Sequence, residues 1–187
     1  MTVERREDDA SAVERALAGD PDAFGEIVSR YHRTVFSIAY RMTGSRAEAE
    51  DLCQDVFLRA YRGLPRFDPA LPFGPWLRRI AANAALNHLR HRTVGRTLVS
   101  EADGAEEGVA DPAAGPEERA ASSEAADRLG RALSTLPENQ RLAFTLKYVE
   151  GLTAEEIAEA MEAPRNTVKT WLLRAREALR KELADDL

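Results

Sequence analysis

Residues 153–183, TAEEIAEAMEAPRNTVKTWLLRAREALRKEL, lay out a short helix, a tight turn and a long helix in immediate succession. Thr153 with Glu156 three residues on is a capping box, in which each side chain satisfies a backbone N–H at the start of a helix. Ile157, Ala158 and Met161 are its inward residues. The turn EAPRN contains Pro164, which helps end that helix, and Thr167 is read as the cap of the next. The second helix has a buried stripe of Val168, Leu172, Ala175 and Leu179, at spacings of four, three and four. This order is the helix-turn-helix pattern, whose second helix enters the DNA major groove. Its outward face is Arg165, Asn166, Thr167, Lys169, Thr170, Leu173 and Arg174, polar and cationic as base edges and phosphates require. An antiparallel helix pair with a solvated charged face has the same spacing, so the motif alone does not decide. Trp171 is expected to pack beside the core stripe.

Working outward, Pro137 opens a helix with Leu142, Ala143, Leu146 and Val149 as its stripe, up to Gly151, and another helix is expected from about Ser123 to Leu136. Upstream, 93–121 holds two basic and seven acidic residues and is rich in Ala, Gly and Pro, with no helical stripe. That is the composition of a solvated linker.

The first half is again helical. Asp20-Pro21 reads as a cap followed by proline at the first helical position. Phe24, Ile27, Val28, Tyr31, Val35, Ile38, Ala39 and Met42 follow as an apolar stripe closed by Gly44. Ser45 with Glu48 caps a second helix carrying Ala49, Leu52, Val56 and Ala60 inward and ending at Gly63. A short leading helix, capped by Ser11 with Glu14, is expected to end at Gly19. Residues 63–75, with four prolines and two glycines, read as a loop. A long helix then runs from about Pro75 to Arg92, with Leu77, Ile80, Ala81 and Ala84 inward.

Charge is distributed unevenly. The chain carries 26 Lys and Arg against 32 Asp and Glu, a formal −6, yet Val56 to Arg92 holds seven arginines against one acid, Asp68. Such a stretch attracts phosphate locally. On the helix after the loop, Trp76, Arg79, Asn83, Asn87 and Arg90 fall on one stripe. Amides, guanidiniums and a ring suit unpaired bases as well as phosphates; equally, Trp76 can be a core anchor and the asparagines exposed filler. Glu48, Glu50, Asp51, Gln54 and Asp55 form an acidic patch on the helix before it, which either favours that helix's N-terminus or docks a protein partner.

Other classes are excluded or disfavoured. The longest run without an acidic or basic side chain is Ile80–Leu89, ten residues, whereas a membrane span needs roughly 18. The N-terminus has no apolar signal core, so a cytoplasmic protein is expected. One cysteine, Cys53, excludes an internal disulfide. His32, His88 and His91 are the only histidines, and no zinc-like spacing, phosphate loop or nucleophile motif is present. No metal, cofactor, small-molecule substrate or enzyme activity is expected.

The runs AEDLCQDVFLRAYRGLPRFD (49–68), WLRRIAANAALNHLRHR (76–92) and LPENQRLAFTLKYVEGLTAEEIAEAMEAPRNTVKTWLLRAREALRKEL (136–183) resemble the two conserved regions of the extracytoplasmic-function (ECF) group of bacterial sigma factors, in family order. The resemblance implies an all-α chain of two small helical domains. Residues 1–92 would be a region 2-like bundle, 93–121 a flexible acidic linker threading into the RNA exit path, and 122–187 a region 4-like helix-turn-helix domain. It implies that Asp51, Gln54, Asp55 and Leu58 dock on the clamp coiled coil of core RNA polymerase. Trp76, Arg79, Asn83, Asn87 and Arg90 would serve the minus-ten element, where captured bases offset unstacking so that melting needs no nucleotide hydrolysis by this subunit. The recognition helix would read the minus-thirty-five element as duplex through Lys169, Thr170, Leu173 and Arg174. An anti-sigma factor is an expected partner by resemblance.

The chain departs from the family in its turn. Glu162 stands where the family usually has Gly, and Asn166 where Gly is again common, Asn being the best non-glycine residue for a left-handed backbone. Trp171 stands where the family often has a basic residue. The alternative reading is a helix-turn-helix regulator that binds duplex DNA without polymerase; a helical protein-binding adaptor is a third. Cys53, close to an apolar stripe, reads as a buried residue rather than a redox switch.

Overall fold

The computed structural model describes residues 3–96 and 128–185, and these are helical apart from short turns. In chain order the helices are α1 (Val3–Leu17), α2 (Pro21–Thr43), α3 (Arg46–Gly63), α4 (Phe73–Arg96), α5 (128–134), α6 (Glu138–Tyr148), α7 (Ala154–Ala160) and α8 (Arg165–Asp185). Most of the acidic stretch 93–121, and the expected helix start near Ser123, lie outside the described residues; 93–96 simply continue α4.

Local signals explain the boundaries. Asp20 Oδ1 accepts from the backbone N–H groups of Asp22 and Ala23, at 3.0 and 3.4 Å, and Gly44 ends α2 at φ 73°, a left-handed position that costs glycine nothing. Ser45 Oγ accepts from the Glu48 N–H, capping α3, while the Glu48 carboxylate reaches across to His88 on α4 at 3.0 Å. Two expectations fail nearby. Ser11 does not cap α1, which already starts at Val3; Ala12 and Val13 beside it are buried. And α4 starts at Phe73, two residues before Pro75, because a proline in the first turn forfeits an N–H that has no helical acceptor there anyway. The loop before it is partly a 3-10 turn, Leu64–Arg66.

Helices α2, α3 and α4 form the body of the first region around Ile27, Ile38, Met42, Leu52, Val56 and Leu77. Helix α1 is tied on by buried Asp9, whose carboxylate pairs with Arg30 and accepts from the Tyr31 hydroxyl. Tyr31 in turn packs against Phe73 at the head of α4, and α4 approaches so closely that a Cβ on Gly74 would lie 2.9 Å from the Tyr31 hydroxyl oxygen. The start of α4 is thereby fixed against α2.

The second region packs onto the first. Leu142, Leu146, Ile157 and Val168 belong to the same apolar cluster as the core of α2–α4, with α6 against α2 and α7 against α4. Ala132, Leu133, Leu136, Ala175 and Leu179 make a smaller cluster joining α5 to α8. Val149, expected on the α6 stripe, is instead at the exposed end of that helix, and Thr145 takes a buried place.

Candidate nucleic-acid and partner interface

Three surfaces carry the residues singled out from sequence. The first is the α4 stripe. Trp76 is half-buried, its ring centroid 4.8 Å from that of Phe67 and 5.3 Å from that of Phe73, so the ring anchors the proline-rich loop to α4. Arg79, Asn87 and Arg90 are exposed and Asn83 is half-buried. Arg79 and Asn83 do not face open solvent alone: Arg79 Nε and Nη2 donate to Glu162 Oε1 at 3.0 and 2.6 Å, and Asn83 Nδ2 reaches the same oxygen at 3.4 Å. The Arg79 guanidinium, helped by the Asn83 amide, holds the Glu162 carboxyl below its usual range.

The second surface is α8. The Thr153–Glu156 capping box of α7 is fully formed, with Thr153 N donating to Glu156 Oε2 at 2.8 Å and Glu156 N to Thr153 Oγ1 at 3.2 Å. The next helix starts at Arg165, and the Val168 N–H already donates to the Pro164 carbonyl. Thr167 therefore lies inside the first turn and does not cap it, contrary to expectation. The left-handed residue of the turn is Glu162, at φ 50°, and not Asn166. Asn166, Lys169, Thr170, Leu173 and Arg174 are exposed and Thr167 is half-buried; Arg165 pairs with Glu155 of α7, and the Thr170 hydroxyl donates to the Asn166 carbonyl at 2.9 Å. Val168, Ala175 and Leu179 are buried, and Trp171 and Leu172 pack on the core cluster.

The third surface is a groove of about 680 Å³ between α2 and α3, in which Asp51, Gln54 and Leu58 meet Phe24, Val28 and Tyr61. Leu58 and Tyr61 are 46% and 56% exposed, large apolar surface in a polar rim, the composition of a protein-binding site. Asp55, placed with this set by sequence, points to Arg59 at 2.7 Å one turn along. Phe24 and Val28, assigned from periodicity to the core, are half-buried walls of the groove. Cys53 beneath it is buried, and burial pushes its thiol up to about 11.

The chain thus sets a helix-turn-helix beside a helical region that carries a basic, amide-bearing stripe and, apart from it, an exposed apolar groove, the features of the nucleic-acid-binding class. Residues 27–94 match the family model for sigma-70 region 2 and residues 126–179 that for sigma-70 region 4. The chain is 37% identical over 179 residues to the ECF RNA polymerase sigma factor SigW of Bacillus subtilis, covering 92% of this chain and 95% of that protein. It is 38% identical over 176 residues to the ECF RNA polymerase sigma-E factor of Escherichia coli, covering 91% and 92%. Among solved structures, CnrH in complex with the cytosolic domain of CnrY has the same fold at TM-score 0.71 and 24% identity, covering 96% of this chain and 99% of that one. The sigma factor RpoE of Bartonella quintana, in complex with the anti-sigma factor NepR, has it at TM-score 0.69 and 21% identity, covering 88% and 98%. The chain belongs to the sigma-70 family, in its extracytoplasmic-function group.

Proposed function

We propose that this chain is an RNA polymerase sigma factor that brings core polymerase to promoters and helps to open them. The observation that carries the reading is the order of parts on one chain: a region 2 body with an exposed apolar–acidic groove and a basic α4 stripe, then a region 4 helix-turn-helix. In this reading residues 1–92 and 122–187 are the two working domains and 93–121 the linker between them. Asp51, Gln54, Asp55 and Leu58 dock on core polymerase, with Phe24 and Tyr61 completing the apolar floor. Arg79, Asn83, Asn87 and Arg90 contact the minus-ten strand, with Trp76 holding the loop beside them. Arg165, Asn166, Thr167, Lys169, Thr170, Leu173 and Arg174 face the minus-thirty-five duplex.

The net charge fits this division of labour. A free-standing DNA binder of −6 has to overcome its own repulsion from phosphate, whereas a subunit carried by polymerase draws its nonspecific affinity from the larger complex. No catalytic step is assigned to the chain, and no described helix is long and apolar enough to cross a membrane. The relatives' names and the anti-sigma factor in a solved neighbour support a cytoplasmic site of action and an anti-sigma partner.

The test is size-exclusion co-elution with bacterial core RNA polymerase, wild type beside Asp55→Arg and Asp51→Arg. Co-elution of the wild type that the charge reversals weaken supports the reading. A wild type that stays free of core yet binds specific duplex DNA by itself overturns it in favour of a polymerase-independent regulator.

A further inference from the structure

The two regions are joined by polar contacts as well as by a shared apolar core. Arg141 of α6 donates to the Met42 carbonyl at the end of α2, at 2.9 Å. Glu150, in the turn after α6, sits where Thr34, Ser37 and Arg41 of α2 and Arg78 of α4 act on its carboxylate. The third contact differs from these two because it falls on the α4 stripe. Glu162 Oε1 takes all its donors, Arg79 Nε and Nη2 and Asn83 Nδ2, from that stripe. One carboxylate oxygen bonded by a guanidinium and an amide offers the hydrogen-bonding chemistry of a nucleic-acid phosphate oxygen.

Glu162 is also the one non-glycine residue at positive φ among the described residues. Glycine would occupy that turn without strain, and a strained residue persists where its surroundings hold it. Here the turn's own hydrogen bonds hold the backbone, Glu162 N–H donating to the Glu159 carbonyl at 3.2 Å and Ala163 N–H to the Ala158 carbonyl at 2.9 Å, and two side chains of the other region hold the carboxylate.

We propose that Glu162 is a built-in competitor for the nucleic-acid site: in the free chain its carboxylate occupies Arg79 and Asn83, closing the middle of the α4 stripe until region 4 moves away. The inference rests on α4 being a DNA-contacting surface, as the proposed function has it. Asn87 and Arg90, one and two turns further along, stay exposed, so a strand can land there first and displace the carboxylate. Because each ligand of Arg79 excludes the other, binding of single-stranded DNA and closure of the two regions are negatively coupled. Docking of core polymerase in the α2–α3 groove does not touch Glu162 and leaves this coupling to be released by separation of the regions.

The test measures fluorescence anisotropy of a short labelled single strand of mixed dA and dT with the free full-length chain. Glu162→Gly removes the carboxylate and relieves the backbone, Glu162→Gln keeps the shape and removes the charge, and Glu159→Gln, an exposed carboxylate on α7, is the control. Both Glu162 variants are expected to bind the strand about threefold more tightly than wild type or control at low salt, the scale of an exposed ion pair, with the gap narrowing as salt screens the interaction. Unchanged or weaker binding in both variants overturns the proposal. Co-elution of each variant with core polymerase separates the two ideas: a wild type that binds core while the Glu162 variants bind DNA no better refutes the competitor alone.

Discussion

Truncation of Leu58 to Ala tests the α2–α3 groove as the polymerase-docking surface. In the free chain Leu58 is 46% exposed. Fully burying a leucine is worth about 1.5–3 kcal/mol, so covering its exposed half against a partner contributes about 1 kcal/mol, or roughly fivefold in affinity. The fold loses little, because the methyl groups removed face solvent and the groove rather than the core cluster; the unfolding free energy from a urea titration is expected to stay within about 0.5 kcal/mol of wild type. Fluorescence titration of labelled chain with core RNA polymerase, wild type against Leu58→Ala, reads the affinity directly, and Tyr61→Ala across the groove repeats the test. An affinity unchanged within twofold for both variants refutes docking at this groove. A large loss accompanied by a lower urea midpoint refutes it too, since Leu58 would then be supporting the fold.

Other outcomes follow from the same geometry. With its thiol pushed up to about 11 by burial, Cys53 is about one-thousandth thiolate at pH 8, so Ellman's reagent should react with it slowly in buffer and rapidly in urea. Thr153 lowers the Glu156 carboxyl through its backbone and side-chain hydrogen bonds; a depressed folded-state value means the cap stabilises above the ordinary carboxylate range and that this stability disappears as pH falls through the lowered value. The urea midpoint of wild type should therefore fall more between pH 6 and pH 3 than that of Glu156→Gln. Replacing Lys169 or Arg174 by Ala should weaken binding of minus-thirty-five duplex by the core-bound chain and, where the side chain removed had neutralised a phosphate, reduce the salt slope by about one, measured by anisotropy over a salt series.

The helices were legible wherever two nearby residues define a geometry. Thr153 and Glu156 fix a cap three residues apart, and Asp20-Pro21 with Gly44 bracket α2. Legibility stopped where a decision depends on distant packing. Ser11 has the same chemistry inside a helix as at its cap, and the burial of Ala12 and Val13 decides for the interior. Periodicity put Phe24, Val28 and Val149 on apolar stripes, but it does not say where the neighbouring helix ends and the groove or solvent begins. The residues of the α4 stripe were readable because helical spacing aligns them. Their partner Glu162 was not, since it meets Arg79 only after the chain has folded back across 83 residues. Its sequence signal was a glutamate where the family usually has glycine.

Transcription in vitro shows whether this chain makes core polymerase promoter-specific. Core RNA polymerase is given fragmented DNA from the chain's own genome with and without the purified protein, and RNA 5′ ends are sequenced. Discrete start sites are expected that appear only with the protein, share upstream elements near minus-ten and minus-thirty-five, and vanish with Lys169→Ala paired with Arg174→Ala or with Asp51→Arg. RNA output and start sites identical to those of core polymerase alone would contradict the proposed function.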